Sequence, residues 1–157
     1  MILGVDPGAV SGAYAALDDT GVLIEVADLP TIASGKLRWV DGPALLSRLI
    51  ELKAGRPMIA YVERQGARPG QGLSSTFTSA TAFGSLLSVL QIAGCAIELV
   101  APSAWKAAMR LTGDKRRSLD AARLRFPDAP LDRVKDHGRA ESLMLALYGQ
   151  SRSARAA

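Results

Sequence analysis

Several things are scarce in this chain. It has one cysteine, Cys95, so an internal disulfide is impossible, and the apolar stretch around it suits a buried, inert thiol. No uninterrupted apolar run reaches the roughly 18 residues that a membrane span needs. The N-terminus, "MILGVDPG", has no basic residue ahead of its apolar run and turns at Pro7-Gly8, unlike a secretory signal. A soluble, cytoplasmic protein is the expectation. There is no internal repeat, and 157 residues suffice for one domain with one substantial core. The domain is expected to span residues 1–150, with "SRSARAA" at 151–157 a disordered basic tail.

With 48% apolar and 22% charged residues the composition is that of a globular protein. The net charge of +4 is modest but uneven. Lys106, Arg110, Lys115, Arg116, Arg117, Arg123 and Arg125 are met in their interval only by Asp114 and Asp120. Such a stretch is either a solvated helix face or a contact for a phosphate backbone.

Residues 2–6, "ILGVD", form an apolar run ending in an acid, and "GAYAALDDTGVLIEVADL" alternates around a turn at Asp18-Asp19-Thr20-Gly21. Three antiparallel strands follow from this. "DGPALLSRLIELKAG" has helical spacing with Gly55 as a stop, and "PMIAYVE" is a buried strand that again ends in an acid, Glu63. A Gly- and Arg-rich loop, "RQGARPGQGLSS", leads into "STFTSATAFGSLLSVLQIAG", a long helix whose near absence of charge predicts burial on more than one side. "CAIELVAP" is a further strand; "SAWKAAMRL", "KRRSLDAARLRF" and "GRAESLMLALYG" read as helices. The order of elements is that of an α/β protein with a mixed sheet, its three-stranded antiparallel hairpin edge lying beside parallel strands and helices flanking it.

Three acids stand out. Asp6 opens "DPG", where an aspartate also forms turns; Glu63 ends a strand, where an acid is often simply solvated. Glu141 precedes "SLMLAL", where a helix begins to bury its face and an unpaired carboxylate is costly unless a cation meets it. His137, four residues earlier, shares its helical face at a ligand spacing, while Asp136 is placed either to cap the helix or to lean into a site. Oxygen ligands without a cysteine cluster favour Mg²⁺ or Mn²⁺ over zinc. Two such ions, roughly 4 Å apart, suit in-line attack on a phosphodiester.

"ILGVDPGAVSGAYAAL" resembles the first hairpin of the RuvC-type Holliday junction resolvases, in the RNase H-like nuclease superfamily. "YVERQ" is similar to that family's second acidic strand, "VAPSAWKAAMRLTGDK" to its lysine-bearing segment, and "GRAESLMLA" to its final metal-binding helix. The resemblance implies an RNase H-like sheet and a homodimeric, Mg²⁺- or Mn²⁺-dependent endonuclease of DNA recombination and repair. It would hold two ions per site and nick four-way junctions in symmetric pairs to leave 5′-phosphate and 3′-hydroxyl ends. Asp6, Glu63 and Glu141 would be metal ligands, and Lys106 and Lys115 would stabilise charge developing at the scissile phosphate. The family's fourth ligand falls at Gly138, which has no side chain, so His137 is the first substitute and Asp136 the second. Arg64, Arg68, Arg116 and Arg117 would join the lysines on DNA. Phe77 would either stack on a base or pack in the core, and the uncharged helix would serve a dimer or a monomer core.

Flap or other branched-DNA cleavage fits the same residues, as does junction binding without turnover, although three retained acids argue for chemistry. An actin-like nucleotide-binding protein also follows a strand with "G-x-D-x-G" but needs two related domains, for which the chain is too short.

Overall fold

The computed structural model describes residues 1–8, 11–67 and 69–156, the last three of these by backbone alone. Its elements are β1 (Ile2–Asp6), β2 (Ala13–Leu17), β3 (Leu23–Asp28), β4 (Thr31–Ser34), β5 (Leu37–Val40), α1 (Gly42–Lys53), β6 (Ile59–Glu63), α2 (Leu73–Ile92), β7 (Ala96–Val100), α3 (Pro102–Ala108), α4 (Lys115–Arg125) and α5 (His137–Ala156). Five strands form one sheet in the order β3-β2-β1-β6-β7. β1 pairs antiparallel with β2 and parallel with β6, and β7 extends the parallel half. The expected mixed sheet with an antiparallel edge is therefore present.

Strand periodicity divides the core into two layers. Leu3, Val5, Ala60 and Val62 face α1 and α2, packing with Leu45, Leu49, Leu86 and Leu90. Ile2 and Tyr61 face the other way, onto a layer with Trp105, Leu119, Leu143 and Leu147 from α3, α4 and α5. α5 rests directly on β1 because Gly4 has no side chain: a Cβ there would collide with the Ser142 carbonyl and the Ala146 backbone.

The structure adds to or departs from these expectations in several places. Residues 151–156 of the expected tail continue α5, which runs through Ala156. Arg152 holds it by pairing with Glu98 (3.3 Å) and lying over the Tyr148 ring, while Ser153 reaches the Tyr61 hydroxyl. α2 is not buried on several sides: Ala82, Leu86, Val89 and Leu90 are buried, whereas Leu73, Phe77 and Ile92 are 90%, 65% and 71% exposed. Its serines and threonines supply a neutral outer surface that an absence of charge alone cannot distinguish from a core face. By length and mean hydropathy (1.2), α2 also meets the requirement for a membrane span, although serines and threonines interrupt its apolar residues. A β4–β5 hairpin, turning at Gly35 with φ +58°, went unread; it packs its second strand beside α2, where the Val40 N–H donates to Ser85 Oγ.

Candidate active site

Parallel pairing of β1 with β6 sets Val5 opposite Val62, so the next residues, Asp6 and Glu63, end their strands side by side. Alternation turns both toward the layer that α5 covers. Glu141 lies just beyond the first turn of α5, and it and Glu63 are each only 7% exposed. Three carboxylates from distant parts of the chain thus meet at the carboxyl ends of the central strands.

Crowding shows in their electrostatics. Burial, and then the charges of Glu141 and Glu63, lift the Asp6 carboxyl from its ordinary 3.8 to about 7, against the opposing pull of the Gly8 N–H and Lys115. Lys106 Nζ donates to Glu141 Oε1 at 2.7 Å, and Ser118 Oγ lies 3.5 Å from the same oxygen. The indole N–H of Trp105 donates to Glu63 Oε2 at 2.9 Å. Among the described residues, no three His, Cys, Asp or Glu side chains are gathered closely enough to hold a metal ion as they stand. Glu63 and Glu141 are instead engaged by adjacent residues of α3. The donor set still fits a hard divalent cation, because every donor is a carboxylate, Asp6 suffers the repulsion a cation would relieve, and a lysine ammonium already stands on Glu141.

The largest described cavity, about 820 Å³, lies at the other end of β1 around Ile2, Met109, Leu124 and Met144. It contains none of the three acids and is mainly apolar, so volume and chemistry lie apart in this molecule.

No family model and no curated protein matches the chain. Solved structures do. RuvC of T. thermophilus in complex with a Holliday junction substrate superposes with a TM-score of 0.66 at 19% identity, over 99% of this chain and 94% of that one. The fold is that of the RuvC-type resolvases. A second Thermus thermophilus RuvC structure gives a TM-score of 0.59 at 19% identity, covering 97% of this chain and 96% of that one. Fowlpox virus resolvase with substrate Holliday junction DNA gives 0.57 at 18%, covering 97% and 99%. At these identities the likeness is one of fold.

Within this RuvC fold the remaining sequence candidates separate. Asp136 is buried and is held by Arg133, the residue three positions before it, rather than by the first N–H groups of α5. Its two oxygens accept from the Arg133 N–H and guanidinium, and although burial works against its charge, Arg133 outweighs this and holds the carboxyl below its usual range. His137 is half-buried and lines a cleft of about 330 Å³ with Lys115, Arg116, Leu119 and Asp120 of α4. It therefore sits beside the lysine whose charge Asp6 feels.

Gly138 is not an open ligand position. A Cβ on it would run into the Ser11 carbonyl oxygen and come within 3.4 Å of Asp6 Oδ2, because the segment after β1 packs straight onto α5 here. Gly138→Asp, which adds an acid at the site, is expected to destabilise the fold by about 1–3 kcal/mol, a fall of several degrees in Tm. A thermal scan showing an unchanged or higher Tm would contradict this packing.

Lys115, Arg116 and Arg117 are exposed at the start of α4, whose cap is Asp114 accepting from the Arg116 N–H at 2.9 Å. Arg64 is exposed just beyond β6. Arg68 lies outside the described residues. Phe77 is 65% exposed, which removes the alternative that it packs in the core. Sequence reasoning missed Trp105 and Ser118. A buried indole must usually find an acceptor for its N–H, so the tryptophan in "PSAWK" was a usable signal, whereas Ser118 carried none.

Proposed function

We propose that this protein is a metal-dependent, structure-selective endodeoxyribonuclease that resolves Holliday junctions by paired nicks, leaving 5′-phosphate and 3′-hydroxyl ends. The observation that carries the reading is the meeting of Asp6, Glu63 and Glu141 with Lys106 and Lys115 at one sheet edge. It gains support from two fold neighbours whose structures contain Holliday junction DNA.

In this reading Asp6, Glu63 and Glu141 hold Mg²⁺ or Mn²⁺, with His137 completing the set. The ions supply a water made nucleophilic at neutral pH and relief of charge on the leaving oxygen. Lys106 and Lys115 offset negative charge that grows on the phosphate during attack. Arg64, Arg116 and Arg117, with Arg68 from sequence alone, contact the backbone and fix the register of the strand. Phe77, exposed on the first turns of α2 next to the loop after Glu63, is placed to stack on an unpaired base. The other exposed apolar residues of α2 suit a second copy of the chain, giving two sites for two symmetric strands.

The test is cleavage of a synthetic four-way junction beside a flap and a linear duplex, with Mg²⁺ or Mn²⁺. The junction is expected to be cut in symmetric pairs, the duplex not at all. Faster cutting of the flap would shift the substrate while keeping the chemistry, and inactivity on every branched DNA would end the nuclease reading. His137→Ala is expected to lower the rate about tenfold or more without loss of junction binding, as gel-shift and rate measurements on the same protein would show. A monomer with full resolving activity would remove the dimer.

A further inference from the structure

We propose that two adjacent residues of α3 set the cation affinity of this site in opposite senses: Trp105 positions Glu63 to receive a cation, and Lys106 is a tethered cation that must leave Glu141. The inference rests on the reading that the three acids hold a divalent cation, and it adds which residues control that step.

Trp105 is fully buried, and its ring packs in the layer between α3, α4 and α5. An indole has a single donor, and here it is spent on Glu63 Oε2 at 2.9 Å. The bond runs from a side chain fixed by packing to a carboxylate at the end of a central strand. It therefore removes rotational freedom from Glu63 before any ligand arrives, as outer partners of metal-binding groups do.

Lys106 acts differently because it brings a full charge. Its ammonium lies 2.7 Å from Glu141 Oε1, with the lysine side chain 17% and the glutamate 8% exposed, and stands 5.1 Å from the centroid of the Trp105 ring. A pair so shielded is a close counterpart of a bound cation. A divalent ion drawing on Glu141 competes with this ammonium. Lys106 has somewhere to go: it also borders an open cleft of about 360 Å³ with Pro102, Ser103, Thr112 and Gly113. Turned into that cleft, the ammonium is released to meet a phosphate. Cation binding and engagement of the DNA backbone are thereby coupled through one side chain.

Opposite signs make the test sharp. Mg²⁺ alone is titrated calorimetrically into the full chain, without DNA, for the wild type, Trp105→Phe and Lys106→Met. Trp105→Phe is expected to weaken Mg²⁺ binding about tenfold. Lys106→Met is expected to tighten it several-fold, since it leaves Glu141 without a competing charge, even though the variant cuts poorly. A merely structural role would weaken both. A second readout needs no core substitution at 105: in Trp39→Phe, the remaining indole ¹H–¹⁵N resonance should move on adding Mg²⁺ and should stay still when Glu63→Gln is added. Equal affinities in all three proteins, shifts of the same sign, or an indole resonance unmoved at saturating Mg²⁺ would overturn the proposal. Absence of any Mg²⁺ uptake by the wild type would instead remove the cation reading on which it stands.

Discussion

Asp6→Asn is expected to reduce junction cutting on the order of a thousandfold while making the cation-free protein more stable at neutral pH. Both effects have one cause. Burial and the neighbouring Glu141 and Glu63 raise the Asp6 carboxyl from 3.8 to about 7, so between those values the folded chain holds a proton that the unfolded chain has released. Stability therefore falls as pH rises through that window, being greatest below it. Asparagine cannot ionise and escapes the loss, which is on the order of a few kcal/mol by pH 8. Paired thermal scans at pH 5 and pH 8 in a chelator would show the variant's advantage over the wild type clearly larger at the higher pH. A gap independent of pH would mean that Asp6 is not crowded, and undiminished cutting would mean that the site lies elsewhere. A bound divalent cation should displace the same proton, so Mg²⁺ affinity in the wild type should rise as pH passes 7.

Gly4→Ala should be strongly destabilising. The new Cβ would meet the Ser142 carbonyl and the Ala146 backbone, neither of which can step aside by a change of rotamer. Relief requires moving α5 off β1, which opens the layer containing Leu143, Leu147 and Trp105 and separates Glu141 from Asp6. A loss of about 3 kcal/mol or more is expected, close to 10 °C in Tm for a domain of this size. Gly66→Ala, where an added Cβ meets nothing, is the control and should melt with the wild type. Equal melting of the two variants would refute the close approach of α5 to β1.

Much of the fold was legible because its signals are local. Alternation in "ILGVD" and "GAYAAL", the turn at Asp18–Gly21 and the helical spacing of Leu45, Leu46, Leu49 and Ile50 specify strands and helices before any long-range contact. Errors arose where the local signal was ambiguous. An uncharged helix such as α2 reads alike whether its serines and threonines face solvent or a partner, and the tail beyond Gln150 is helical through contacts of Arg152 and Ser153 with residues far away in sequence.

The candidate site divides in the same way. Strand and helix periods depend only on neighbouring residues, and they already put Asp6 and Glu63 at the ends of buried strands and Glu141 at a buried helical face. Tertiary structure alone decided the rest. Parallel pairing of β1 with β6 and the landing of α5 on Gly4 bring the acids together. Arg133 takes Asp136 away, Ser11 closes the space beside Gly138, and Trp105 and Lys106 reach Glu63 and Glu141. These contacts join residues up to 142 positions apart, from Gly4 to Ala146, and no periodicity in a sequence encodes which distant side chain will fill a given space.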